Sequence, residues 1–345
     1  MRLIIVGYGN VGREFGVLLA EKAPVLHAQY GLDLTVVGVV TGRHGGWMAE
    51  HPTGITPDAV LASGWPQSGK LPEGAATFVG EALELIAQAP ADALVELSPT
   101  NPQTGEPAMT YMRAAFAQGM HVVSANKGPI ALAYRALRDE AAAKGLHLRF
   151  ESTVIDGTPV INLAQFTLPA TQILGVRAII NATSNFILSG LQLGQSFAET
   201  LTRAQAIGIA EADPSLDLDG WDAAVKLTII ANVLMGADVR PQDVVRASSA
   251  ERMQALAATV PPGHVVKQVA TLTRVGDGVQ ARVALEVLAA DDSLAGIGQG
   301  KAAIQFQTDT MGDLTVIEGP GTPRQTAFGV LADLITIHRA VGLKA

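Results

Sequence analysis

The segment that narrows the fold most is the N-terminus. Residues 3–6, LIIV, are a short unbroken apolar run, and Gly7-Tyr8-Gly9-Asn10-Val11-Gly12 follows at once. An apolar run of that length reads as a strand buried on both faces of a parallel sheet. Residues 13–23 then show helical spacing. Strand, GxGxxG and helix in that order is the arrangement that binds a dinucleotide. Gly7 permits the tight turn, Gly9 lets the backbone approach a pyrophosphate, and Gly12 lets helix and strand pack closely. Asn10 and Val11 complete the loop, and the helix N-terminus faces the phosphates. A glycine-rich turn without a ligand is the plainer alternative; the motif's place directly behind a strand argues against it.

A second strand is expected over residues 34–40, LTVVGVV. An NAD-specific fold places an acidic residue near the end of this strand, on the ribose 2′-hydroxyl. Here the chain reads Thr41-Gly42-Arg43-His44. A guanidinium there suits a 2′-phosphate, so Arg43 favours NADP, with NAD still open. The plainer reading of Arg43 is a solvated loop residue. Residues 45–77 are rich in Gly and Pro and read as a surface excursion with one short helix. Residues 92–97 return as a strand, with Thr100 beyond its carboxyl end. A helix over 105–119, a strand over 121–124 with Lys127 past its tip, a helix over 131–143 and a strand over 146–150 complete an alternating β/α series. Carboxyl ends of such strands are where ligands bind.

From residue 151 the pattern changes. A turn-rich junction leads to a helix near Pro159, a strand over 173–180, helices from 186 and 197, and further strands over 265–273, 279–288, 303–307 and 314–317. The expected architecture is α/β: a Rossmann-type dinucleotide-binding domain over 1–150, completed by a C-terminal helix in 319–345, and an α+β substrate and dimerisation domain with an open sheet over 151–318. A chain of 345 residues is long enough for two such domains.

Chemistry concentrates in residues 208–227, GIAEADPSLDLDGWDAAVKL. Charged residues make up only 16% of the chain, yet this stretch holds Glu211, Asp213, Asp217, Asp219, Asp222 and Lys226. Residues 208–220 show no periodicity and read as a loop. Residues 221–236 have near-helical apolar spacing and read as a largely buried helix. Asp222 falls in its first turn, where the helix dipole favours a carboxylate. Asp222 and Lys226 are four apart and share a face. A surface ion pair is the plain reading of such a pair, but Lys226 lies in so apolar a run that it should point into a cleft floor.

Other classes are excluded by composition. There is no cysteine, hence no disulfide, thiolate metal site or Cys nucleophile. Net charge is −8 without a Lys/Arg cluster, which argues against nucleic-acid and anionic membrane partners. The seven histidines form no zinc-binding spacing. Hydrophobic residues reach 48%, but no apolar run approaches a membrane span, and no signal peptide is visible. A cytoplasmic location is expected.

GYGNVG, SPTN at 98–101, ANK at 125–127, NATSNFIL at 181–188 and the acidic stretch together resemble homoserine dehydrogenases, over nearly the whole chain. The resemblance is to the short form without a regulatory extension. It implies that Gly7, Gly9, Asn10, Val11, Gly12, Arg43, Thr100, Lys127 and Gly321 serve the dinucleotide. It further implies that Glu211, Asp222, Asn181, Thr183 and Asp217 serve an amino-acid substrate. Lys226 is the acid–base candidate, with Lys127 as its alternative, and two lysines at one site would depress each other's pKa. A structural monovalent cation, sodium in the family, is implied at Glu151, Val154, Asp156 and Thr158, and a homodimer is expected. The sequence chemistry fits: an ammonium group needs carboxylates, and a carbonyl accepting hydride needs a cation and a proton donor. Another NAD(P)-dependent amino-acid or aldehyde dehydrogenase, a non-catalytic dinucleotide sensor and a purely structural oligomer stay open as alternatives.

Overall fold

The computed structural model describes residues 1–342 and divides into two compact units, Met1–Thr158 with the stretch from Thr322, and Pro159–Gly321. The first begins with β1 (Arg2–Val6), α1 (Asn10–Tyr30), β2 (Thr35–Thr41) and β3 (Gly45–Ala49). It continues with α2 (Pro57–Ser63), β4 (Ala75–Phe78), α3 (Ala82–Gln88), β5 (Ala93–Glu96), α4 (Ala108–Ala117), β6 (His121–Ser124), α5 (Lys127–Ala143) and β7 (Leu148–Arg149). Its sheet runs β4-β3-β2-β1-β5-β6-β7, parallel from β2 through β7. Leu3, Ile4 and Ile5 are essentially inaccessible, as the two-faced burial of a central parallel strand requires.

The chain leaves β1 to build β2 on one side and later returns to add β5 on the other. The carboxyl ends of β1 and β5 therefore form the topological switch point of the sheet, where such folds bind ligands. Register fixes the alignment: Val6 lies opposite Val40 and Glu96, and Glu96 opposite Ser124. The residues immediately after these four share one edge.

Two local features differ from the sequence expectation. Part of residues 45–77 joins the sheet as the antiparallel strands β3 and β4. The turn that makes this possible is held by Thr41, whose Oγ1 accepts from the His44 N–H at 2.8 Å, while Gly45 takes φ +67°. Trp47 on β3 is fully buried, which anchors the added strand. Helix α1 runs through Pro24 to Tyr30 rather than stopping at residue 23. Proline inside a helix costs a hydrogen bond, but Leu26 beyond it is 2% exposed in the core. Gly31, left-handed at φ +60°, ends the helix and donates to His27 O.

The second unit starts with α6 (Val160–Asn162) and a π turn, Leu163–Thr167, then β8 (Ile173–Ile179), α7 (Ala182–Gln192) and α8 (Phe197–Ala206). After α9 (Ser215–Leu218) and α10 (Trp221–Leu234) come β9 (Val245–Ala247), α11 (Ala250–Thr259), β10 (His264–Val275), β11 (Gly278–Ala289), β12 (Ala302–Thr308) and β13 (Gly312–Glu318). The sheet order is β13-β12-β8-β10-β11-β9, open at both ends. Helices α7 and α11 pack on β10, and α10 packs on β10 and β11. Nine of the fourteen residues of α10 are buried, so the helix is a core element and not a surface one. Each fully buried Leu or Ile there contributes roughly 1.5–3 kcal/mol. Asp222 and Lys226 are the charged residues on it. The final helix, α12 (Pro323–Gly342), belongs to the first unit and packs along α1, where Ala327, Val330, Leu331, Leu334 and Ile337 join the core.

Candidate active site

The glycine loop bridges β1 and α1 as the motif demands. Gly7 has φ +92°, and a Cβ there would lie 2.5 Å from the Leu97 carbonyl carbon, so only glycine fits. A Cβ on Gly12 would fall 2.8 Å from Gly7 O, which confirms the close approach of helix and strand. Gly9 is different: a Cβ there would meet no protein atom within 4 Å. The chain's own packing does not require glycine at this position. Open space beside Gly9, at a helix N-terminus with no side-chain cap, is what a pyrophosphate would use, and the residues fit a dinucleotide. Asn10 is exposed and accepts from Arg13 Nη2 at 2.6 Å, while Val11 packs against the core.

Arg43 is exposed in the turn between β2 and β3, beyond the carboxyl end of β2 and next to the strand that carries the glycine loop. Beside that turn lies a cleft of about 470 Å³, lined among others by His44, Gly46, Trp65, Phe78 and Val79. Trp65 packs against Tyr8 of the glycine loop with ring centroids 5.7 Å apart.

Past the switch point, Thr100 is half-buried in the loop after β5, and Lys127 is half-buried as the first residue of α5. Sequence reasoning passed over the residue that organises both. Glu96, the last residue of β5, is fully buried. Its Oε1 accepts from the Ser98 N–H at 2.9 Å and from the Ser98 hydroxyl, and its Oε2 accepts from the Ser124 hydroxyl at 3.1 Å. Burial pushes its carboxyl up to about 7, against the pull of hydrogen bonds from Ser98, Ser124 and Asn126. Asn126 in turn caps α5 by accepting from the Gly128 N–H at 3.1 Å. The signal was a lone acid ending the apolar run of residues 93–95, which looked like ordinary strand sequence.

In the second unit, five of the expected residues come together. Asn181 caps α7, its Oδ1 accepting from the Ser184 N–H at 2.8 Å. Its Nδ2 donates to Asp217 Oδ1 at 2.7 Å and to Asp222 Oδ2 at 3.1 Å. Lys226 Nζ lies 3.0 Å from Asp222 Oδ2 and donates to Ile180 O at 2.7 Å. Both side chains of that pair are under one-fifth exposed. An ammonium carries three N–H donors, one more than these two contacts use. Burial, with the Asp222 charge second, raises the Asp217 pKa; hydrogen bonds from Asn181 and Thr183 and the Lys226 charge oppose it. Thr183 Oγ1 also donates to Ile209 O at 3.0 Å, tying α7 to the acidic segment. That segment is not wholly a loop. Asp213 Oδ1 accepts from the Ser215 N–H at 3.0 Å at the entry to α9, the short helix that carries Asp217.

The other expected residues make different contacts. Glu211 is exposed, and its backbone carbonyl accepts from Gln205 Nε2 at 3.2 Å. Gly321 is exposed in the turn before α12. Glu151 and Val154 are buried, and Asp156 takes left-handed φ 36° while its Oδ1 accepts from Thr326 Oγ1 at 3.0 Å. Thr158 donates its N–H to Ile155 O at 2.9 Å. Among the described residues no three His, Asp or Glu side chains gather to hold a metal ion.

A family profile described as homoserine dehydrogenase matches residues 159–335. An NAD(+)-dependent homoserine dehydrogenase of Pseudomonas canavaninivorans is 36% identical, over 99% of this chain and 97% of its own length. The chain belongs to the homoserine dehydrogenase family. Solved structures agree at the level of fold. A putative homoserine dehydrogenase from Archaeoglobus fulgidus superposes with TM-score 0.83 at 29% identity, covering 98% of this chain and 99% of its own. A hyperthermophilic archaeal homoserine dehydrogenase in complex with NADPH gives TM-score 0.81 at 26% identity, covering 98% of each chain. The α/β architecture, with one mainly parallel sheet and one open sheet, is therefore that of homoserine dehydrogenases.

Proposed function

We propose that the protein catalyses the reversible NAD(P)-dependent interconversion of L-homoserine and L-aspartate 4-semialdehyde, a step of threonine and methionine biosynthesis. The observation that carries this is the Asp222–Lys226 pair on a buried helix, linked by Asn181 to a second acid, Asp217. Two carboxylates against one lysine leave the cluster negative, which suits an ammonium-bearing substrate. Asp222 and Glu211 take the ammonium group, and Asn181, Thr183 and Asp217 shape the floor of the site.

A nicotinamide dinucleotide, when bound, supplies or accepts the hydride. Gly7, Gly9, Asn10, Val11 and Gly12 receive its pyrophosphate end, Thr100 and Gly321 line the rest, and Arg43 favours the 2′-phosphate of NADP. Lys127 supplies positive charge near the reacting carbonyl. In the reducing direction Lys226 Nζ–H protonates the carbonyl oxygen as the carbon accepts hydride, and Asp222 orients the lysine. In the oxidising direction the neutral amine takes that proton back. A monovalent cation bound through the backbone at Glu151, Val154, Asp156 and Thr158 completes the reading, as do a homodimer and a cytoplasmic location. No helix among the described residues is long and apolar enough to cross a membrane.

The direct test follows absorbance of the reduced nicotinamide with L-homoserine plus NADP, then NAD, in sodium and in choline salts. Turnover with homoserine and none with simple alcohols supports the reading. Equal rates on simple aldehydes and alcohols would favour a general aldehyde dehydrogenase.

A further inference from the structure

Glu96 has no part in the chemistry just described, yet it is the common acceptor of two loops that do. The loop after β5 carries Ser98 and Thr100; the junction of β6 and α5 carries Ser124, Asn126 and Lys127. Glu96 accepts from Ser98 on the first and from Ser124 on the second. The closure has further bonds around it. Asn126 Nδ2 donates to Ser98 O at 3.2 Å, and the Asn126 N–H donates to Ser124 Oγ at 2.9 Å. A Cβ on Gly128 would lie 2.6 Å from Asn101 O, so the two segments already touch.

We propose that Glu96 is a positioning residue for hydride transfer, whose buried carboxyl group locks the Thr100 loop to the start of the Lys127 helix. Its effect on rate rests on the dehydrogenase reading; its effect on the two loops does not. Val6 faces it from β1, Ser124 from β6 and Asn126 from the start of α5. Tyr111 on α4 is the titratable group that feels its charge. The groups that pull its pKa down against burial are the Ser98, Ser124 and Asn126 donors.

The ionised carboxylate can accept from every donor around it. Protonation turns one oxygen into a donor, so a serine hydroxyl must rotate away or lose its acceptor. Burial brings that change to about pH 7. Burial outweighs the hydrogen bonds, so the closed arrangement holds its proton more tightly than an opened one; above that pH the lock loosens, and Thr100 and Lys127 lose their fixed spacing. Misplacement of about 1 Å costs on the order of a hundredfold in rate.

The test uses the full chain and its Glu96→Gln and Glu96→Asp variants. Hydrogen exchange of the ligand-free protein, corrected for intrinsic rates, is read at residues 97–101 and 124–128 below and above pH 7. In wild type both segments should be better protected below pH 7 than above it; in Glu96→Gln, which carries no charge at either pH, that difference should vanish. NADPH affinity by nicotinamide fluorescence should change by less than about threefold, while kcat falls roughly tenfold to a hundredfold. The kcat of Glu96→Gln should also lose the wild-type inflection near pH 7, and Glu96→Asp should shift that inflection without abolishing it. Identical exchange in wild type and Glu96→Gln, or an unaltered kcat–pH profile in an active enzyme, would overturn the proposal. If Glu96→Gln does not fold, Ser124→Ala should loosen 124–128, and unchanged exchange there is equally fatal. A wild-type protein that turns over no homoserine sinks the functional reading and leaves the exchange result to decide the lock.

Discussion

The two units solve one problem in different ways. Each ends a strand near an asparagine that caps the next helix: Asn126 at α5, Asn181 at α7. In each, the side-chain oxygen of the asparagine caps the helix, while the side chain also hydrogen-bonds a carboxylate. The difference is the cation. Glu96 is enclosed by neutral donors, and burial wins, pushing its carboxyl up to about 7. Asp222 has Lys226 at 3.0 Å, and the lysine is held between Asp222 and the Ile180 carbonyl. The same cap geometry thus serves a switchable lock in one unit and a half-buried ion pair in the other.

Removing the cation breaks this contrast most severely. Lys226→Ala should lower kcat by about a thousandfold, within the range for loss of a general acid, with dinucleotide affinity nearly unchanged. A kcat within tenfold of wild type would move the proton transfer to Lys127. The next largest effect is on stability. Glu96 has a folded pKa of about 7 against a reference of 4.5. The folded state therefore binds the proton more tightly, so stability present below pH 4.5 is lost as pH rises towards 7. At 1.36 kcal/mol per unit this amounts to about 3 kcal/mol. Urea unfolding of Glu96→Gln should show that slope flattened, and a slope equal to wild type would place the titration elsewhere.

Asn181→Ala removes the donor shared by Asp217 and Asp222. KM for homoserine should rise about tenfold, since a hydrogen bond to a charged group is worth about 1.5–3 kcal/mol. The lost cap should add a destabilisation of about 1 kcal/mol, seen as a lower unfolding midpoint. An unchanged KM would mean that the acidic pair does not face substrate. Arg43→Ala, at an exposed site, is the mildest change. It should weaken NADP roughly threefold to tenfold and leave NAD unaffected, consistent with the modest worth of an exposed ion contact. Equal losses for both cofactors would remove Arg43 from the 2′ position.

The legible parts of the molecule were those where one residue pattern had one physical meaning. LIIV before GxGxxG could only be a buried strand entering a helix, and the apolar spacing of residues 221–234 marked α10 as core. Asp222 and Lys226 met because helical spacing makes them meet. What was hidden depended on tertiary context. Residues 45–49 look like glycine-rich loop until Trp47 is seen buried against β2. Pro24 looks like a helix end until Leu26 is seen packed beyond it. Glu96 ends an unremarkable apolar strand, and its partners lie two and about thirty residues away, a network that a single strand's sequence does not announce.

The proposed activity is oxidation of L-homoserine by a nicotinamide dinucleotide, with Lys226 as the residue that takes the proton. The most direct measurement is the rise in reduced-nicotinamide absorbance with L-homoserine and NADP or NAD, for wild type beside Lys226→Ala. The account predicts steady turnover in wild type, loss of about three orders of magnitude in the variant, and equal dinucleotide binding in both. Wild-type protein that binds the dinucleotide but leaves homoserine untouched would contradict it.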